Sequence, residues 1–275
     1  MDGTLFLCAT PIGNLRDISI RAVEILKAVP LIAAEDTRQT LKLLNHFEIK
    51  TKLTSYHQHN EKSKSVELIE HLKLGKDLAL VSDAGLPGIS DPGEVIVKEA
   101  IKQGIKVDVI PGPTAFVSGL VISGLPTSPI YFGGFLPNSS KARQEELKKL
   151  KNLIATQIFY ESPHRLDKFL ADVLDVRGNT TEVVIARELT KLHQELLRGS
   201  VGELIERISK TPLKGEMVIY LAPPVLEELD KPADWNIEVD ALLGTGLDRK
   251  QAIKALADKY GVQKREIYNA VMKNE

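Results

Sequence analysis

The stretch LALVSDAGLPGISDPG, residues 78–93, places a short apolar run directly before twelve residues that contain three glycines, two prolines and two aspartates. A loop that only joins a strand to a helix usually has two to about six residues, so a loop of this length needs a further reason. We therefore expect a buried strand over 78–81 and a loop over 82–93 that holds a ligand.

The first half of the chain repeats this order of apolar run, turn residues and amphipathic stretch. Strands alternating with helices predict a parallel sheet covered by helices. One helix is predicted over 18–29, stopped by Pro30, and another over 66–74, closed by Gly75. The apolar runs that predict strands are 5–9, 31–34, 78–81 and 107–110.

The pattern changes after Pro126, and the second half of the chain indicates a second α/β domain. The stretch 222–235, which is rich in proline and acidic residues, is typical of a linker. The predicted domains are 1–126, 127–224 and a small C-terminal unit at 239–275. In the second domain, strands are predicted at 131–136, 157–161, 182–187 and 216–222, and helices near 140–151, 164–175 and 201–209.

Two more strands of the first half also end in glycine and proline, at ATPIGN (9–14) and PGPTA (111–115). Ligands of open parallel sheets bind beyond the carboxyl ends of strands, where glycine lets the backbone approach closely. Each loop alone could be an ordinary turn, but three together favour a binding site. Because the chain has neither G-x-G-x-x-G after the first strand nor a P-loop, a dinucleotide or nucleoside triphosphate is disfavoured.

Composition adds broad limits. The 275 residues are enough for two domains, and a net charge of -1 excludes neither a small molecule nor a nucleic acid as partner. The single cysteine, Cys8, rules out a disulfide framework and suits a reducing cytoplasm. With no signal-peptide pattern at the start and no long apolar run, we expect a soluble cytoplasmic protein that does not enter the membrane.

Six blocks carry a resemblance to a known family: ATPIGNLRDIS, AAEDTR, VSDAGLPGISDPG, VIPGPTA, FYESPHR and ARELTKLHQE. In order and over nearly the whole chain, they resemble the 2′-O-methyltransferases of ribosomal small-subunit RNA, a branch of the tetrapyrrole methylase superfamily. The resemblance implies an α/β fold: two α/β domains of tetrapyrrole-methylase type with a small C-terminal helical unit. It also implies a homodimer and S-adenosyl-L-methionine bound in the cleft between the two domains.

The implied reaction is methylation of the ribose 2′-hydroxyl of a cytidine in the decoding region of 16S rRNA, within the 30S subunit. A separate enzyme would methylate the base of that cytidine. In place of the superfamily's G-D-P motif this chain has Ser82, Asp83 and Ala84, and its first loop is similar to the RNA-directed branch. The cofactor-binding residues implied by the resemblance are Pro11, Asp83, Leu86, Ile89, Thr114, Ala115, Tyr160 and Met217.

Methyl transfer from a sulfonium needs an in-line hydroxyl, and since that hydroxyl is a weak nucleophile, a nearby base or cation would help. Three clusters follow apolar strands and could face one cleft. The alternative is a set of surface or interdomain ion pairs, or a helix start in the case of His164. The candidates are Glu35, Asp36 and Arg38; Glu161, His164 and Arg165; and Arg187, Glu188 and Lys191.

The C-terminal residues 247–273 have a helix-turn-helix outline, with a capping box at Asp248 and Gln251 and a turn at Gly261. Such a unit suits phosphate contacts of RNA, although a packing or dimerisation element is the alternative. The candidate RNA-binding residues are Arg249, Lys250, Lys264 and Arg265.

His57 and His59 lack a third ligand nearby, so no metal site is predicted.

Two other functions stay open. A methylase of a small tetrapyrrole acid would need a cleft ringed by arginines. A non-catalytic RNA-binding module would bind RNA without affinity for S-adenosylmethionine.

Overall fold

The computed structural model describes residues 1–224, 232, 234–260 and 262–272, except for the side chain of residue 258. It divides the chain into two compact units, Met1–Pro224 and Val225–Glu275. Most of the predicted linker, and the predicted turn at Gly261, lie outside the described residues.

The first sheet is wholly parallel, with the strand order β3-β2-β4-β1-β5, which confirms the prediction from the apolar runs. Its central strands β2 and β4 are buried throughout because helices cover both faces. Strand β3 was not predicted, because the strand KLTS is short and half of its residues are exposed at the sheet edge. The strands are β1 Leu5–Cys8, β2 Leu31–Ala34, β3 Lys52–Ser55, β4 Leu78–Val81 and β5 Val107–Ile110.

Five helices follow these strands. The predicted helix over 18–29 is α1, which Ser19 caps by accepting a hydrogen bond from the amide of Ala22. The predicted helix over 66–74 is the end of the longer α3, and Gly75 follows it with a φ of 74°. The helices are α1 Ile20–Ala28, α2 Thr37–His46, α3 Glu61–Lys73, α4 Glu94–Lys102 and α5 Ala115–Ser123.

The second sheet is mixed, with the order β6-β7-β10-β8-β9. Strands β6 and β7 are parallel, and the remaining pairs are antiparallel. All four predicted strands form; β9 was not predicted, because polar residues and glycine interrupt its apolar pattern. The elements are β6 Ile130–Phe135, α6 Ser140–Leu150, β7 Thr156–Glu161, α7 Pro163–Arg177, β8 Glu182–Arg187, β9 Glu195–Ser200, α8 Val201–Lys210 and β10 Met217–Leu221.

The two faces of the second sheet have different covers. Helices α6 to α8 pack on one face around Phe159, Phe169 and Ile219. Helix α5 covers the other face, where Ile12 from the loop after β1 joins Leu120 and Tyr220 in one apolar cluster. The end of the first sheet is thereby fixed against the second sheet.

The described residues of the C-terminal unit form three helices around a small core that includes Trp235, Leu256 and Ile267. Asp248 and Gln251 form the predicted capping box: the Gln251 amide donates to Asp248 Oδ1 at 2.7 Å, and the Asp248 amide donates to Gln251 Oε1 at 3.0 Å. Both predicted helices form, and a further helix precedes them. The three are α9 Trp235–Leu243, α10 Arg249–Tyr260 and α11 Lys264–Met272.

Candidate functional site

The glycine- and proline-rich loops at the ends of β1, β4 and β5 contact one another. Thr10 and Gly85 exchange backbone hydrogen bonds of 2.8 and 3.1 Å, and the Thr10 hydroxyl donates to the carbonyl of Ser82 at 3.2 Å. Gly112 lies so close to Ala9 that an added Cβ would come within 2.9 Å of the Ala9 Cβ. Glycine is therefore needed there for the loops to approach.

The loop 82–93 also depends on glycine within itself. Gly85 and Gly88 have φ angles of 85° and 84°, in the left-handed region that other residues rarely adopt. A Cβ on Gly93 would lie 3.0 Å from Gly88. The loop can therefore fold back on itself and present its backbone to a neighbouring space.

That space is a cavity of about 310 Å³, here called the first pocket, which is walled by the loop 82–93, the start of α5 and the ends of strands of the second sheet. Burial raises the pKa of the Tyr160 hydroxyl in its wall to about 12, so this ring is neutral at physiological pH. Six of the eight predicted cofactor-binding residues line the first pocket: Leu86, Ile89, Thr114, Ala115, Tyr160 and Met217.

The other two predicted cofactor residues, Pro11 and Asp83, line an adjoining cavity of about 490 Å³, the second pocket. It shares Ile12, Ala84 and Glu216 with the first pocket, so the two spaces are neighbours. Thr40, 4% exposed, has a hydroxyl there without a hydrogen-bond partner in the structure. Polar walls distinguish this pocket: Thr10, Gln39, Thr40, Lys42, Ser82, Asp83, Lys191 and Glu216.

Carboxylates gather around the loops after β2 and β4. The amide of Asp36 donates to Asp83 Oδ1 at 3.0 Å, which ties the two loops together. Burial raises the pKa of Glu35, Asp83 and Asp91, and the charges of acidic neighbours act in the same direction. A carboxylate with a raised pKa is a better proton acceptor than an ordinary one.

Asp36 has a different role. It caps α2 and forms a two-fold hydrogen-bonded ion pair with Arg38, which lowers the pKa of Asp36 to about 2. The Arg38 side chain is 87% exposed and lines neither pocket. This pair therefore fits the surface alternative raised from the sequence.

Glu161 lies in the wall of the first pocket with its side chain fully buried. Arg165 Nε is 3.1 Å from its Oε1, which also accepts the amide of Ser162 at 2.8 Å, whereas Oε2 has no hydrogen-bond partner in the structure. Burial raises the pKa of Glu161 despite the arginine. Arg165 also donates to the carbonyl of Leu136, and His164 is exposed and lines neither pocket.

In the third predicted cluster only Lys191 lines a pocket. Its Nζ lies 2.9 Å from both Glu188 Oε1 and Glu216 Oε2. Although burial opposes it, these carboxylates raise the pKa of Lys191, so the amine stays protonated. Glu188 has a φ of 52° and accepts the amide of Glu216 at 2.9 Å. Arg187 instead pairs with Glu195 at 3.1 Å, away from both pockets.

Several pocket residues were missed from the sequence. Asp91 belongs to the loop 82–93, and its position could have been recognised as a second loop carboxylate. Glu216 directly precedes β10, so it lies at a strand end, as the catalytic candidates do. Nothing in the local sequence of Phe135, Gly215 or Val218 distinguishes them from ordinary strand residues.

Four predicted RNA-binding residues meet in the C-terminal unit. Arg249, Lys250, Lys264 and Arg265 line one cavity together with Ile253 and Tyr268.

Elsewhere the rings of His57 and His59 lie 6.0 Å apart, and no cluster of three metal-ligating side chains occurs among the residues that the structure describes. Within the same residues, no helix is long and apolar enough to cross a bilayer.

The chain is similar to known methyltransferases. The family profile of Tetrapyrrole (Corrin/Porphyrin) Methylases matches residues 4–205. Proteins named Ribosomal RNA small subunit methyltransferase I are 48% identical in Halalkalibacterium halodurans, covering 97% of this chain and 94% of that one, and 43% identical in Bacillus subtilis, covering 98% and 94%. These similarities confirm the resemblance carried by the six sequence blocks.

Solved structures with the same fold are more distant in sequence. A diphthine synthase has a TM-score of 0.63 at 14% identity and covers 80% of this chain and 90% of its own. Uroporphyrin-III C-methyltransferase of Thermus thermophilus, in complex with S-adenyl homocysteine, has a TM-score of 0.58 at 17% identity and covers 81% and 99%. The predicted fold class is confirmed by these likenesses.

Proposed function

The chain belongs to the tetrapyrrole methylase family, and from that premise we propose that it transfers the methyl group of S-adenosyl-L-methionine to ribosomal RNA of the small subunit. The observation that carries the proposal is the near full-length similarity to proteins named for that activity. Two adjoining pockets that share part of their walls supply the geometry that a transfer between two bound molecules needs.

We assign the cofactor to the first pocket. Leu86, Ile89, Met217 and the Tyr160 ring offer apolar surface, while the backbone at Thr114 and Ala115 offers polar groups. The carboxylates of Asp91 and Glu161 in the same walls suit a ligand with a positive charge. Bound there, the cofactor would supply an activated methyl group on its sulfonium.

We assign the acceptor ribose to the second pocket. Asp83 lines it and has a raised pKa, so its carboxylate can accept a hydroxyl proton, although the sequence resemblance places it at the cofactor. Lys191, held protonated by Glu188 and Glu216, can stabilise negative charge on the attacking oxygen or bind a phosphate. The acceptor that the resemblance implies is the 2′-hydroxyl of a cytidine in the decoding region of 16S rRNA.

Of the other catalytic candidates, Glu35 lies near Asp83, whose charge helps to raise the pKa of Glu35, while Arg165 positions Glu161 and Glu188 positions Lys191. We assign the pairs Asp36–Arg38 and Arg187–Glu195 to local structure, since none of these side chains lines a pocket. The proposed domains 1–126 and 127–224 then contribute opposite walls of the site. We further propose that Arg249, Lys250, Lys264 and Arg265 bind RNA phosphates.

A homodimer that acts on the 30S subunit in the cytoplasm is the proposed working state. Edge strand β6 and helix α5 expose apolar side chains that a partner subunit would cover. The most exposed are Val121 at 70% and Phe135 at 57%.

The test is methyl transfer in vitro from labelled S-adenosylmethionine to 30S subunits from cells that lack the modification, followed by mapping of ribose methylation. Labelling of one cytidine ribose supports the proposal. Labelling of a tetrapyrrole acid without ribosomes would instead support the tetrapyrrole methylase. RNA binding without cofactor binding, measured by calorimetry, would support the non-catalytic RNA-binding module.

A Lys191→Met variant tests the assignment of the second pocket. We expect the transfer rate to fall by roughly a hundredfold, as for other single groups that stabilise developing charge, with cofactor affinity unchanged. Lys98→Met, on an exposed face of α4, is the matched control. An equal rate in both variants would remove Lys191 from the site.

A further inference from the structure

We propose that the cavity of the C-terminal unit binds an unpaired RNA nucleotide, with the Tyr268 ring stacked on its base. The basic slot, as we call it, has a volume of about 570 Å³ and lies where α10 and α11 begin. Its size falls within the roughly 300–1,000 Å³ typical of small-ligand pockets. The residues of the slot are Arg249, Lys250, Ile253, Lys264, Arg265 and Tyr268.

The two helices contribute to the basic slot in the same way. Each places two cationic residues in its first two positions and one apolar or aromatic residue three positions later: Arg249, Lys250 and Ile253 on α10, then Lys264, Arg265 and Tyr268 on α11. Positions separated by three or four residues share one helix face. Two helix starts therefore present their cations to one space.

Helices α10 and α11 are mainly basic, although each contains one acidic residue, Asp258 and Glu266. Helix α9 carries Glu238 and Asp240 and has no lysine or arginine. Among the residues that the structure describes, no acidic side chain lines the basic slot. A face with four cations around one cavity complements an anionic partner. The near-zero net charge of the whole chain does not reveal this local positive charge.

The floor of the slot favours a nucleotide over a simple anion. Tyr268 is aromatic and 49% exposed, although the core residue Ile267 beside it in the chain is fully buried. Ile253, at 7% exposed, extends the apolar surface. Flat aromatic surface flanked by cations is the arrangement on which single-stranded nucleic acids stack their bases while their phosphates are neutralised.

The occupant is identified from this chemistry together with the proposed function, on which the identification of RNA rests. A base in a duplex is paired and stacked within the helix, so its face cannot reach a ring inside a cavity. An unpaired nucleotide can place its base on Tyr268 and its two phosphates between the lysines and arginines. The slot therefore selects single-stranded over duplex RNA.

The experiment measures binding of a fluorescent single-stranded oligoribonucleotide, and of the same RNA annealed to its complement, by the full-length protein without cofactor. Fluorescence anisotropy is followed as a function of salt. Tyr268→Leu removes the ring but keeps apolar bulk, and Tyr268→Phe keeps the ring. Lys250→Ala removes a cation from the slot, and Lys254→Ala removes an exposed lysine of the same helix that does not line it.

We expect tighter binding of the single strand by the native protein. Tyr268→Leu should raise its Kd roughly 5- to 150-fold, the range found when stacking on an aromatic side chain is lost, while Tyr268→Phe stays close to wild type. Lys250→Ala should reduce the slope of log Kd against log salt by about 0.7, and Tyr268→Leu should leave that slope unchanged. Lys254→Ala should change neither quantity.

Equal affinity for single strand and duplex, or an unchanged Kd in Tyr268→Leu with thermal stability preserved, would overturn the inference. These outcomes are separate from the proposed function, because that function is judged by methylation of 30S subunits by the wild-type protein. Wild-type methylation together with an unaffected Tyr268→Leu variant would reject the basic slot alone. Absence of methylation with the expected binding pattern would reject the methyl transfer alone.

Discussion

Replacement of Gly119 by alanine should disturb the packing of α5 against the second sheet. An added Cβ would lie 2.1 Å from the Tyr220 hydroxyl, and ordinary van der Waals contact begins at 3.4 Å. Tyr220 cannot turn away, because its side chain is fully buried and its hydroxyl donates to the carbonyl of Phe116 at 3.0 Å. Helix and strand must therefore separate.

The expected cost comes from two opposing effects. Overpacking a core typically costs about 1–3 kcal/mol, and a separation of this size belongs at the upper end. Alanine within a helix returns about 1 kcal/mol relative to glycine. The net loss of about 2 kcal/mol should lower the Tm by roughly 4–8 °C for a unit of this size.

A second substitution makes the reasoning specific. Tyr220→Phe removes the oxygen that the new Cβ would meet, and the next contacts are 3.0 Å to the ring and 3.2 Å to Leu189. Alone it should cost about 0.5–1.5 kcal/mol for the lost hydrogen bond. Gly119→Ala should then add little in the Tyr220→Phe background.

Urea unfolding followed by circular dichroism is the suitable assay. The single tryptophan, Trp235, belongs to the C-terminal unit, so its fluorescence does not report on α5. Calorimetry should also show weaker cofactor binding in Gly119→Ala, because α5 begins at the pocket residue Ala115. Additive losses in the double variant, or no loss in Gly119→Ala, would refute the explanation.

Three further predictions concern the same unit. Arg143→Met should lower the free energy of unfolding by about 3–5 kcal/mol, because it leaves Asp172 buried without the arginine at 2.6 Å; urea unfolding should show partial recovery when Asp172→Leu is added. Asp91→Asn should raise the Tm at pH 8. Burial raises the pKa of Asp91, so the ionised carboxylate destabilises the folded state at pH values above the pKa of the unfolded chain. In melting curves recorded below about pH 4, where wild-type Asp91 is protonated in both states, the gain in Tm over wild type should vanish. Gly13→Ala should slow methyl transfer, because its Cβ would lie 2.5 Å from Lys191 Cγ and 2.9 Å from the carbonyl oxygen of Leu189; equal rates in both proteins would show that the packing of this loop against Lys191 is unimportant.

Local sequence was sufficient for most of the sheets. Buried strands such as β2 and β4 consist of unbroken apolar runs, and that requirement is visible in a few consecutive letters. The long glycine- and proline-rich loop after β4 likewise indicates a binding site from its composition and length alone. Edge strand β3 was not predicted because half of its residues are exposed, and edge strand β9 was not predicted because polar residues and glycine interrupt its apolar pattern.

The arrangement within the site required the tertiary structure. The local sequence made Arg187 and Lys191 equal candidates. In the fold, Arg187 pairs with Glu195, whereas Lys191 lies in a pocket with Glu216, which is 25 residues away in the chain. The pKa shifts have the same origin, because Asp91 raises the pKa of Glu35 only where the parallel sheet brings the loops after β2 and β4 together. Most strands, and the glycine-rich loops at which we place the binding site, could be predicted from the sequence alone, since they depend on short-range apolar patterns and on glycine. Which charged side chains face which pocket was decided by the tertiary structure, because that depends on contacts between distant segments.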